Sequence, residues 1–169
     1  MLKIGFLAAA AMVATPAVAH KHQPGHVGHK MAKALSMQCA AIPAGAADSL
    51  FNQFNAAFAS KNPDAVTTLF AKDAVLLATV SNVPRTDPAA IRDYFVSFLK
   101  GAPVGTINTS NVREGCNMLA RMGTWTVALT NQNSGVRNNV KARYTFIYKY
   151  EDGAWKIAHL HSSMMPVSE

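Results

Sequence analysis

Residues 159–166 read His-Leu-His-Ser-Ser-Met-Met-Pro. On a β-strand, residues two apart point to the same side, so His159 and His161 form a side-by-side pair of imidazoles. Such a pair can move protons near neutral pH, hold a metal, line a binding pocket or fill a packed layer. A zinc site needs a third protein ligand, and none is indicated near the pair in sequence. For acid–base catalysis the candidates are His161 and His159, with Tyr144 as their partner. Arg143 could hold a carboxylate or phosphate if its strand face lines a cavity. The acidic residues offer less. Asp48, Asp64 and Asp87 stand at helix starts, Glu151 and Asp152 at a turn, and Glu169 at the end of the sequence. Each of these has an ordinary structural reason to be where it is.

A second cluster lies near the start. Four of the six histidines fall within His20–His29, HKHQPGHVGH. Before them, Lys3, the apolar run Ile4–Val13 and the small-x-small Ala17-Val18-Ala19 have the form of an export signal cut after Ala19. Cleavage would leave 169 − 19 = 150 residues and lower the formal charge from +7 to +6, since only Lys3 is removed. The mature chain would then begin His20-Lys21-His22. Its free amine, two amides and the third-position imidazole can offer four nitrogens in a plane to copper or nickel, making His20 and His22 candidate metal ligands. The alternative is a solvated tail whose histidines bind metal loosely or not at all. The expected location is periplasmic or secreted, with no membrane insertion after cleavage, because no later stretch is long and apolar enough to span.

One domain of this length can bury a single sizeable core. Lys and Arg are scattered without a basic run or stripe, so nucleic acid is not an expected partner. Cys39 and Cys116 allow one intramolecular pairing. In an oxidising compartment a disulfide is expected, with two separate buried thiols as the alternative. No GxSxG, Walker, HExxH or CxxC pattern occurs, which removes those enzyme classes at motif level.

The elements that must position these residues follow from periodicity. Leu50, Phe51, Phe54, Ala57 and Phe58 recur at helical spacing from about Ala47 to Ser60. Asn62-Pro63 and Asp87-Pro88 each read as an N-cap followed by proline at the first helical position. The first starts a short helix through Phe70. The second starts one whose apolar face is Ile91, Tyr94, Phe95, Phe98 and Leu99, stopped by Gly101 and Pro103. Asp73–Val80 is strand-like. After it, Val104–Arg113, Cys116–Thr130, Val136–Tyr150 and Ala154–Ser163 are strands separated by turn residues. Helices followed by hairpin-linked strands predict an α+β fold, an antiparallel sheet wrapped around helices. With Asp152-Gly153 as a two-residue turn, Tyr150 faces Trp155, Tyr148 faces Ile157, Phe146 faces His159 and Tyr144 faces His161. Both histidines would then lie on an aromatic wall.

This order of elements resembles the nuclear-transport-factor-2-like cone, and within it the association (hub) domain of calcium/calmodulin-dependent protein kinase II. The likeness rests on Arg92-x-Tyr94-Phe95 and on Asp152-Gly153-x-Trp155-Lys156-x-x-His159-x-His161. Bacterial secreted relatives grouped as SnoaL-like or SgcJ/EcaC-type end in a His-Ser-Ser-x-Met-Pro string similar to His161–Pro166. The resemblance implies a cone over residues 46–169, preceded by a histidine-rich lead segment over 20–45. It implies a strongly curved sheet around a pocket, and self-association into a dimer or larger assembly. Tyr94, Arg143 and His161 are the candidate residues for a small-molecule ligand. The resemblance implies no kinase activity, since no Gly-rich loop, catalytic-loop or DFG pattern occurs. No cofactor is expected apart from copper or nickel at the arm. Ser162 stands where those hubs carry an arginine, so the likeness does not extend to a pocket for acidic ligands. The leading expectation is an exported assembly or ligand-binding module. The alternatives are a SnoaL-like isomerase, cyclase or hydrolase, and copper or nickel binding by the arm.

Overall fold

A computed structural model describes residues 38–166. The signal-peptide reading over residues 1–19 and the histidine arm, with His20 and His22, lie outside the described residues. Helix α1 (Ala46–Ala59) buries Phe51, Phe54 and Phe58, the stripe its 3.6-residue period demands. Helix α2 (Pro63–Thr67) is capped by the Asn62 side chain, which accepts from the Asp64 and Ala65 N–H groups. Helix α3 (Pro88–Phe98) is capped by Asp87, which accepts from Ala90. A 3₁₀ turn over Leu99–Gly101 ends it. Both Asx-Pro starts therefore work as the sequence predicts.

Strand β1 (Phe70–Leu77) begins three residues earlier than Asp73. Helix α2 stops at Thr67, and the Leu69 carbonyl already accepts from Ile157 of the last strand. Strands β2 (Val104–Gly115), β3 (Met118–Thr130), β4 (Arg137–Glu151) and β5 (Ala154–Met164) follow. They form an antiparallel meander to which β1 adds in parallel beside β5, in the order β1-β5-β4-β3-β2. The helices cover one face of this open sheet, and the α+β cone fold is as expected. The core is built from aromatic rings of α1, α3, β3 and β4. Phe51 meets Trp125 and Phe146 edge-on, and Phe58 packs on Phe95 and Phe98.

Arg121 of β3 fixes the start of α1. It is 5 % exposed and lies over the Phe51 ring. Its Nε donates to Ser110 Oγ at 2.9 Å, and its guanidinium also meets the Ala47 carbonyl at 3.0 Å and Asp48 at 2.8 Å. Burial of this cation is tolerated because each of these contacts is charge-assisted. Cys39 and Cys116 are joined by a disulfide, and the Ala40 N–H donates to Asn117 Oδ1 at 2.7 Å beside it. Among the described residues no helix is long and apolar enough to cross a membrane.

The last hairpin departs from the expected register in one place. Asp152 and Gly153 have φ of 51° and 79°, the left-handed geometry of a two-residue turn. Tyr150–Trp155 and Tyr148–Ile157 pair as the sequence predicts. Beyond them β5 carries one extra residue, because Ile147 faces His159 rather than Ala158. The expected pairs Phe146–His159 and Tyr144–His161 are replaced by Phe146–Leu160 and Tyr144–Ser162. A one-residue shift exchanges the faces of everything after it. Leu160 and Ser162 turn towards the helices, and His159 and His161 turn away.

Candidate functional site

The helix-side face of the sheet and α3 enclose a pocket at the open end of the cone. Its walls are Phe58 of α1, Tyr94 and Phe98 of α3, Leu76 of β1 with Ala78, Thr79 and Val80 just after it, Trp125, Val127 and Leu129 of β3, and Leu160 and Ser162 of β5. The Tyr94 and Phe98 rings stack at 5.3 Å between centres. The space left between these side chains is about 30 Å³, and about 430 Å³ when the open mouth is included. Ligand pockets typically occupy 300–1,000 Å³, so an occupant must be small or must part the side chains at the mouth.

The polar atoms of the pocket are few. Ser162 Oγ receives the Trp125 indole N–H at 3.1 Å and a second hydrogen bond from the Thr79 hydroxyl. Ser162 and Trp125 are buried, at 6 % and 3 % exposure. None of the lining residues is Asp, Glu, Lys, Arg or His. Tyr94 is the one titratable group on the wall. Burial drives its pKa far above the ordinary tyrosine range, against a small opposing effect of Arg85, whose guanidinium sits over the ring at 5.8 Å. The phenol is therefore a permanently protonated, neutral group at physiological pH.

Tyr94 is thus the one candidate from the sequence that lines the pocket. His159, His161 and Arg143 lie on the opposite face of the sheet. There His159 faces Val75 and Ile147 of its neighbouring strands, and His161 faces Leu77 and Thr145. Arg143 is exposed, and its guanidinium reaches the Met164 carbonyl at 3.4 Å. Tyr144 is on the helix side, but its hydroxyl donates to the Thr109 carbonyl at 3.0 Å and not to a histidine. Sequence reasoning misses Thr79 and Trp125 of the lining, and marks Ser162 only as the replacement of a hub arginine. Ser162 was in plain view within the HxHSS string, but the bulge that turns it inward carries no sequence mark.

His159 titrates below the ordinary histidine range. Partial burial is the main cause and the neighbouring His161 imidazole the second, opposed by a hydrogen bond with the Val75 backbone. The ring centres of the two histidines are 6.5 Å apart. The unfolded chain therefore takes up a proton at the ordinary histidine pKa before the folded chain does. Stability is complete above that pH and falls as the pH drops through it to the lowered folded value. Melting temperature should decrease between pH 7.5 and pH 5.5, and His159→Gln should flatten that dependence. An unchanged slope in the variant would remove His159 as its source. Among the described residues, no three His, Cys, Asp or Glu side chains are grouped to hold a metal.

Comparison with known proteins agrees with this architecture. A crystal structure from Xanthomonas campestris, provisionally named as a calcium/calmodulin dependent protein kinase II association domain, is 42 % identical, with a TM-score of 0.70 over 78 % of this chain and 96 % of its own. A protein from Novosphingobium aromaticivorans, provisionally named as an aromatic ring hydroxylase, is 22 % identical, with a TM-score of 0.64 over 76 % of this chain and 95 % of that one. An uncharacterised Caulobacter vibrioides protein with a cystatin-like fold is 16 % identical, with a TM-score of 0.61 over 73 % and 90 %. The last two share the fold alone. No curated protein sequence matches the chain. The SnoaL-like domain model matches residues 47–168, which takes in every helix and strand described above save the first residue of α1, and the chain belongs to the SnoaL-like domain family.

Proposed function

We propose that this chain is an exported, self-associating module whose cone pocket binds a small, neutral, largely apolar molecule. The observation that carries the binding reading is the pocket wall itself. It is apolar, with a few hydrogen-bonding groups at one place and no charged side chain. Acid–base chemistry needs a titratable group near its working pH within reach of the substrate. Tyr94 is displaced away from that range, and the histidines face the other side of the sheet. Binding is therefore favoured over the isomerase, cyclase or hydrolase alternative.

The test uses toluene as a neutral probe and benzoate as its charged counterpart, followed by the indole NMR resonance of Trp125. Toluene should give a saturable shift and benzoate none. Ala78→Leu, which adds three carbons to the pocket wall, should weaken toluene binding at least tenfold at unchanged fold. Equal binding of both probes, or full affinity in the filled variant, would contradict the reading.

Self-association is supported by the 42 % identical Xanthomonas protein, whose name is that of an association domain. The outer sheet face adds Val75, Leu77 and Ile147, only half covered in the single chain. Light scattering at micromolar concentration should give at least two chains per particle, and a monomer mass would end the proposal. Export is supported by the disulfide, a bond that persists in oxidising compartments, and by the signal-like sequence of residues 1–19.

A further inference from the structure

The hydrogen bonds at Ser162 leave an account to be closed. An indole N–H can only donate, so the bond at 3.1 Å makes Ser162 Oγ the acceptor of the Trp125 proton. The Thr79 hydroxyl donates to the same oxygen. A serine oxygen has two lone pairs, and these two bonds occupy both. What remains is the serine's own hydrogen. With Thr79 as the donor of their shared bond, no other group among the described residues accepts it. Ser162 is 6 % exposed, and all three residues line the pocket. A buried donor without an acceptor is costly, and an incoming acceptor removes that cost.

Resting on the pocket-binding reading above, we infer that the pocket selects neutral apolar molecules carrying a carbonyl oxygen, and that Ser162 donates its hydroxyl hydrogen to that oxygen. Trp125 and Thr79 are positioning residues, since by filling both lone pairs they force Ser162 to act as a donor. A carboxylate is disfavoured because no cation stands on the wall to offset its loss of water. The bulge at Ala158 is what presents a serine here in place of His161.

The test compares three probes of nearly one shape. Acetophenone carries the carbonyl, α-methylstyrene has a methylene group in place of the oxygen, and benzoate carries a charge. Each is titrated into the full chain while the indole NMR resonance of Trp125 is followed, with Trp155 as the control outside the pocket. Acetophenone should bind about tenfold more tightly than α-methylstyrene, the value of one hydrogen bond, and benzoate should bind least. In Ser162→Ala and Ser162→Cys that ratio should fall to about one, with α-methylstyrene affinity unchanged as the sign of an intact pocket. Ser162→Cys keeps the side chain's shape at slightly larger size, with a weak acceptor for the Trp125 N–H and only a weak donor. It therefore answers for Ser162→Ala if loss of the Trp125 partner prevents folding. Equal affinity of the two uncharged probes in the parent, or an undiminished ratio in both variants, overturns the role of Ser162 and leaves the pocket reading standing. Failure of every probe to shift the Trp125 resonance overturns the pocket reading and this inference together.

Discussion

Gly123→Ala is expected to lose on the order of 3–5 kcal/mol of folding stability, the sum of an overpacked contact and a stranded phenol. Residue 123 lies on β3 opposite Ser110 of β2, one position from a break in register between Ile107 and Thr109. That irregularity brings the Thr109 carbonyl over Gly123. A Cβ at this position would stand 2.1 Å from the Thr109 oxygen and 2.7 Å from its carbonyl carbon. Both are backbone atoms, so no side-chain rotation relieves the clash. The same carbonyl accepts the Tyr144 hydroxyl at 3.0 Å, and pushing it away would leave a buried phenol without a partner. Tyr144→Phe removes only the hydrogen bond and should cost about 1 kcal/mol. Against a total stability of roughly 5–15 kcal/mol, the glycine substitution should bring the domain near its unfolding threshold. Urea denaturation of both variants measures the difference. A loss below about 1 kcal/mol for Gly123→Ala would contradict this packing.

Loss of the Cys39–Cys116 bridge is expected to cost about 4–5 kcal/mol by the loop-entropy account, because the bond spans 77 residues of sequence. It ties the segment before α1 to the turn between β2 and β3. The Ala40 bond to Asn117 shares that anchor. The pocket should be little affected. Strand β3 starts at Met118 beside the bridge and first reaches the pocket at Trp125, and seven residues of strand span about 23 Å. Denaturation of Cys39→Ser, or of the parent with and without reductant, should show the full loss while probe affinity at low denaturant holds. Two free thiols per chain in the unfolded, unreduced protein would refute the bridge.

Much of this fold is legible in the sequence, and the reasons are local. Asn62-Pro63 and Asp87-Pro88 fix two helix starts because each side chain caps the turn that follows it. Asp152-Gly153 fixes the last hairpin because both residues accept positive φ. The disulfide follows from arithmetic, two cysteines permitting one pair. What the sequence hides is the single extra residue at Ala158. Alanine has no turn signature, and a bulge is set by how β5 must bend to meet both β4 and β1. That one position decides whether His159 and His161 or Leu160 and Ser162 face the aromatic core, and without it Ser162 reads only as the replacement of a hub arginine. Arg121 carries no sequence signal for a related reason, since its partners Ser110, Ala47 and Asp48 are distant in sequence or unremarkable in type.

The central claim is that small neutral molecules enter the helix-side pocket and leave the histidine face alone. Intermolecular nuclear Overhauser effects from bound acetophenone test it most directly. The account predicts contacts from the probe to the Trp125 indole, the Tyr94 ring and the Leu160 methyl groups, with none to the His159 or His161 rings. Contacts to either imidazole without contacts to Trp125 would contradict it.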